Sequence, residues 1–182
     1  MATIEFRIAT AEEKRAIMKR IDNVFGEEAA LKTIGSMEVV IANGKRVELF
    51  LVPQKVLSIF KKTQGRHNPY CLGVYVGDLV NNMFLPSIEG VTLVSPHSNR
   101  KIRVSMKGEQ TILYGRDIKR SFVKEAPYDV HKGERVVITN VLDETIALGK
   151  MSINGSELDG VDKETLVAEN IVDRGWYLRE GK

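Results

Sequence analysis

Lys101-Ile-Arg-Val-Ser-Met-Lys107 alternates basic or polar residues with apolar ones, the period of two that a half-buried strand requires. Gly108-Glu-Gln-Thr-Ile-Leu-Tyr-Gly-Arg116-Asp-Ile-Lys-Arg120 follows as a turn and a short stretch with helical possibilities, carrying three clustered cations. Gly133-Glu-Arg-Val-Val-Ile-Thr-Asn-Val141 and Thr145-Ile-Ala-Leu-Gly-Lys-Met151 are apolar runs separated by Leu142-Asp143-Glu144, the pattern of a hairpin. Together these segments define a compact β module. A basic strand beside a basic turn on such a scaffold suits a nucleic-acid backbone better than a small-molecule site.

Charge is segregated along this module. Residues 100–124 hold eight Lys or Arg against Glu109 and Asp117, a net of +6, whereas residues 136–182 carry a net of −4. The whole chain is only +3. A positive face can therefore form if folding does not mix the charges again. At 182 residues, with 43% hydrophobic and 28% charged content, the chain fits one large or two small globular domains. The single cysteine, Cys71, excludes an intramolecular disulfide. No apolar run reaches the roughly 18 residues that cross a bilayer, and Met1-Ala-Thr-Ile-Glu-Phe-Arg lacks a secretory core. A soluble protein of a reducing, intracellular compartment is expected, with no membrane association.

Upstream, Thr10-Ala-Glu-Glu13 matches a capping box, followed by Ile17, Ile21, Val24 and Phe25 at helical spacing and Gly26 as the stop. Lys14, Arg15, Lys19 and Arg20 are expected on its exposed face. Residues 37–42 and 46–52 form two strands about Asn43-Gly44, a dipeptide suited to a tight hairpin turn. Pro53 suits the first turn of a helix running to about Lys62. Residues 63–69 are polar and loop-like. Cys71 to Val80 is apolar and β-branched, with Asn81-Asn82 turning into Met83 to Ile88, and Glu89-Gly90 leading into Val91 to Val94. Ser95-Pro-His-Ser-Asn99 has turn residues without an apolar anchor and marks the expected domain boundary. Near the C-terminus, Thr165 to Ala168 is expected as a strand, with Ile171, Trp176, Tyr177 and Leu178 packing on the barrel as a closing turn. Trp176 could instead stack on a base.

Catalytic signatures are missing. His67, His97 and His131 sit in polar contexts, none with a second His or Cys at zinc-ligand spacing. Cys71 reads as a buried small hydrophobe. There is no phosphate loop and no nucleophile-elbow serine. Gly73 and Gly77 on a strand-like run permit a bend or close packing, and Asp78 has no evident partner.

Thr10 to Glu27, Val52-Pro-Gln-Lys-Val-Leu57, Leu72-Gly73 with Gly77, Gly108 to Gly115 ending in Leu-Tyr-Gly, Leu148-Gly149 and Asp173-Arg-Gly-Trp-Tyr-Leu-Arg179 together resemble the archaeal and eukaryotic Nip-seven family of large-ribosomal-subunit biogenesis factors. The likeness spans nearly the whole chain. It implies an α+β protein: an N-terminal α/β domain with a mixed or antiparallel sheet, residues 1–97, then a PUA pseudo-β-barrel, residues 98–182. It further implies binding to pre-ribosomal RNA and to assembly or RNA-processing proteins, without catalysis or cofactor. A monomer is expected, cytoplasmic in an archaeal source and nucleolar in a eukaryotic one. Two departures stand out: Asp159-Gly160 replaces adjacent basic residues, and Phe122 replaces a small one. They shift the expected phosphate contacts to Lys101, Arg103, Lys107, Arg116, Lys119, Arg120 and Lys124. Lys101, Arg103 and Lys107 would share a strand face, and the others would extend the patch from the turn and helix. Tyr114 is expected to pack in the barrel, with stacking on a base as the alternative. Two other readings compete: a protein-interaction adaptor with incidental RNA affinity, and an RNA-modifying enzyme.

Overall fold

A computed structural model describes residues 5–35, 37–43, 46–63, 69 and 71–180. The fold is α+β, built on two sheets. The first has the order β1 (Glu5–Ile8), β2 (Met37–Asn43), β3 (Val47–Pro53), β4 (Val74–Val80) and β5 (Met83–Pro86), each pair antiparallel. Helices α1 (Ala11–Phe25), α2 (Ala29–Ile34) and α4 (Ile88–Val94) cover one face, and α3 (Gln54–Thr63) lies on the other. In α1 the Thr10 hydroxyl accepts from the Glu13 amide at 3.2 Å and Glu13 accepts from the Thr10 amide at 2.9 Å, the reciprocal cap its sequence predicts. Gly26 follows at φ +102°, where a Cβ would crowd the Asn99 side chain. The β2–β3 hairpin pairs Asn43 with Val47; Gly44 of the expected turn lies outside the described residues, as do His67 and most of the loop after α3.

The second sheet has the order β7 (Ile118–Lys119), β11 (Leu166–Asp173), β10 (Thr145–Met151), β9 (Arg135–Thr139), β6 (Lys101–Val104) and β8 (Val123–Glu125). Its two edges, β7 and β8, are joined in the chain only by the short turn Arg120–Phe122. A link so short brings the edges together, so the sheet curls into a nearly closed barrel. Inside it lie Ile102, Val104, Ile112, Ile118, Ile138, Ala147 and Val167. Val137 and Leu148, pointing outward from β9 and β10, join the core beneath α1, α2 and α4. These strands are buried on both faces, which is why they read as unbroken apolar runs.

Several sequence expectations shift. The Lys101–Lys107 alternation ends as a strand at Val104. Ser105 turns its hydroxyl to the Gly108 amide at 3.2 Å and starts helix α5 (Met106–Leu113), so Lys107 is helical and leaves the strand face of Lys101 and Arg103. Likewise β5 stops at Pro86, because Ser87 caps α4 through the Gly90 amide at 3.0 Å. Residues 95–99 are not a bare connector: Ser95 and Ser98 are buried, and the Ser98 hydroxyl donates to the Phe25 carbonyl at 2.7 Å. The strand placed at Thr165 to Ala168 is the longer β11. The segment after it forms helix α6 (Trp176–Glu180), whose Trp176, Tyr177 and Leu178 are half to largely exposed rather than packed on the barrel. Cys71 is exposed and precedes β4.

Candidate nucleic-acid interface

The seven cations expected to touch phosphate fall into distinct environments. On β6, Arg103 faces Glu125 at 2.9 Å and Asp143 at 3.9 Å, and Lys101 shares an open hollow with Asp143 and Glu144. This acidic company spends the charge of the β6 face. Arg120 is structural: its guanidinium donates to the Leu158 carbonyl at 2.7 Å and the Val123 carbonyl at 3.3 Å, and meets Asp159 at 3.4 Å. Asp159, where the resemblance implied a basic residue, thus meets Arg120. Lys119 pairs with Glu164 at 2.6 Å, and that contact, reinforced by the field of Lys107, lowers the Glu164 carboxyl below its usual range. Lys107 therefore sits within electrostatic reach of the Lys119–Glu164 pair. Among the described residues Lys107, Arg116 and Lys124 are exposed and make no ion pair.

Two of these three bracket α5, and the end of that helix is the most open part of the patch. Tyr114 caps α5 and is 76% exposed, because Gly115, at φ +79°, turns the chain away before the tyrosine can fold back onto the barrel. The expected packing role for Tyr114 is thus overturned, and its ring is available for stacking beside Arg116.

The closing Asp-x-Gly-x-x-x-Arg spacing now has a physical meaning. Asp173, 3% exposed, accepts two hydrogen bonds from Arg179 at 3.0 and 2.9 Å and one from the Asn170 amide at 3.0 Å. Arg179 also donates to the Leu113 carbonyl, tying α6 to the end of α5. Gly175 is required because a Cβ there would overlap that same carbonyl. Across from α6, the Tyr177 hydroxyl donates to Glu89 of α4 at 2.6 Å, and this contact pushes its pKa up to about 12. Sequence reasoning found the motif spacing but missed that α6 bridges the two halves of the molecule. No group of three or more His, Cys, Asp or Glu among the described residues is arranged to hold a metal ion, and no described helix is long and apolar enough to cross a membrane.

A six-stranded, nearly closed barrel behind an N-terminal sheet is the fold of solved PUA-domain proteins. Residues 100–182, the barrel half, match the model of the UPF0113 PUA domain. A UPF0113 protein of Archaeoglobus fulgidus is 29% identical over 144 residues, 79% of each chain. A 60S ribosome subunit biogenesis protein NIP7 homolog of Sus scrofa is 22% identical over 177 residues, 95% of this chain and 96% of that one; the Nip-seven likeness is therefore real but distant. A 77-residue stretch is 34% identical to a tRNA-guanine(15) transglycosylase of Korarchaeum cryptofilum, covering 41% of this chain and 13% of the enzyme. Among solved structures, a conserved PUA domain protein from Thermoplasma acidophilum superposes with a TM-score of 0.60 at 14% identity over 97% of this chain and 99% of that one, which shows a shared fold.

Proposed function

We propose that this protein is a non-catalytic RNA-binding factor of large-ribosomal-subunit assembly, and that it binds pre-ribosomal RNA through the PUA barrel. The observation that carries the reading is the exposed end of α5, where the unpacked ring of Tyr114 stands beside Arg116, with Lys107 at the other end of the helix. Unstacked bases of single-stranded RNA are held by aromatic faces, and unpaired cations next to them neutralise phosphate. Full-length similarity to ribosome biogenesis proteins of the NIP7 type supports the cellular role, with assembly proteins as further partners and the cytoplasm, or the nucleolus of a eukaryote, as the place of action. The match to the transglycosylase is confined to 13% of that enzyme, and it supports a shared RNA-binding module rather than shared chemistry.

The patch acts without Arg103 and Arg120, whose charges are spent within the protein. Titration of a labelled single-stranded oligoribonucleotide over a series of salt concentrations tests this. Lys107→Glu with Arg116→Glu is expected to weaken binding at least about tenfold and to flatten the salt slope by about 1.4, near 0.7 for each lost phosphate contact. Binding and slope equal to wild type would remove the patch from the mechanism.

A further inference from the structure

A cleft of about 420 Å³ lies where the two sheets meet, within the roughly 300–1,000 Å³ span of small-molecule sites. Arg46, Tyr75 and Asp78 line it from the first sheet; Gly115, Asn170 and Trp176 line it from the PUA half. Gly115, which lines the cleft, stands in the chain between Tyr114 and Arg116 at the exposed end of α5.

The state of the polar groups decides what such a space can take. Each wall carboxylate is already engaged: Asp78 by Arg46 at 3.3 Å and the Tyr75 hydroxyl at 2.7 Å, Asp173 by Arg179, and Glu89 by Tyr177. Arg46 and Arg179 offset the charges of Asp78 and Asp173, and the Glu89 carboxylate is covered by the Tyr177 hydroxyl. In contrast, the Arg46 side chain is 68% exposed and has guanidinium donors besides the one that meets Asp78, and Arg116, next in the chain to the lining residue Gly115, has no acid partner among the described residues. Asn170 Oδ1 is buried without a hydrogen-bond partner, while its amide is held by the Ile112 carbonyl at 3.1 Å and by Asp173. The half-exposed indole plane of Trp176 and the guanidinium of Arg46 match a nucleobase with its phosphate: a π face and an anion.

We propose that this cleft takes one unstacked nucleotide of the bound RNA, its base against the half-exposed indole of Trp176 and its phosphate towards Arg116 and Arg46. The N-terminal sheet thereby becomes part of the RNA site. This inference rests on the RNA-binding reading above and extends it from the barrel surface to the junction of the two halves.

Trp176 is the one tryptophan of the chain, so its emission reports on the cleft without a label. A short single-stranded oligoribonucleotide is titrated while anisotropy of the labelled RNA follows binding and indole emission follows the cleft. Emission is expected to quench in step with the anisotropy. Trp176→Leu is expected to weaken binding about tenfold and Trp176→Phe to restore it to within about threefold, in line with the energy of one base–aromatic stack. Arg46→Ala, in the other half and exposed, is expected to weaken it several-fold without touching α6. Anisotropy that saturates with unchanged indole emission, or wild-type binding by Trp176→Leu and Arg46→Ala, would overturn the cleft while leaving RNA binding in place. No anisotropy change with RNA would instead overturn the RNA-binding reading, and the cleft proposal with it. Quenching by an arginine-rich peptide but not by RNA would assign the cleft to a protein side chain and also overturn the proposal.

Discussion

Glu13 is held by three donors: both terminal nitrogens of Arg7, at 2.8 and 2.7 Å, and the Thr10 amide at 2.9 Å. The Arg7 contact first, and then the Thr10 amide, pull its carboxyl down to about 2. A carboxyl lowered in the folded state adds stability above its unfolded pKa and loses it as pH falls towards the folded value. Thermal melts are therefore expected to show wild type losing more stability than Glu13→Gln between about pH 5 and pH 2. Thr10→Ala, which strips the hydroxyl from the same cap, is expected to cost about 1 kcal/mol in denaturant unfolding. This cap was legible in four consecutive residues because both of its partners are local. The exposure of Tyr114 was not, because it depends on the turn at Gly115 and on what lies across from it, neither of which leaves a mark in residue spacing.

At the scale of elements, periodicity found the hairpins and α1 and misplaced the junctions. Lys101 to Lys107 alternates throughout, yet Ser105 ends the strand, since its hydroxyl offers α5 a cap that the ladder cannot match. The same happens at Ser87 before α4. In both places a two-residue pattern and a capping residue compete, and the capping residue wins. Helix α6 shows the reverse dependence, being tied to the rest of the molecule by two contacts distant in sequence, Arg179 to Leu113 and Tyr177 to Glu89. Gly175→Ala is expected to push it off the Leu113 carbonyl and to cost about 1–3 kcal/mol, as overpacking does. The check is Trp176 emission, which should shift to the red in the native variant while the far-ultraviolet dichroism of the barrel stays the same.

For the whole molecule, the decisive fact is that Val137 and Leu148 of the barrel belong to the core of the other half. A linker-like composition at residues 95–99 concealed this, because no local signal shows that a serine hydroxyl is buried against Phe25. Shared burial couples the two halves, so the full chain is expected to unfold in a single calorimetric transition. A fragment of residues 100–182, with both side chains laid bare, is expected to melt at a lower temperature and to associate. Two well-separated transitions in the full chain would show that the halves are thermodynamically independent.

The position of β6 also bears on how the molecule is made. It enters between β8 and β9, antiparallel to the first and parallel to the second, both of which follow it in the chain. No tight turn can zip it to β9, so the β9–β10 hairpin, a microsecond event, is ready first and β6 must be captured across a long loop. As synthesis proceeds, Lys101 to Val104 can therefore pair at first only with β8, and its other edge has no partner until β9 has been translated. Until then its unpaired edge is open to competing chains.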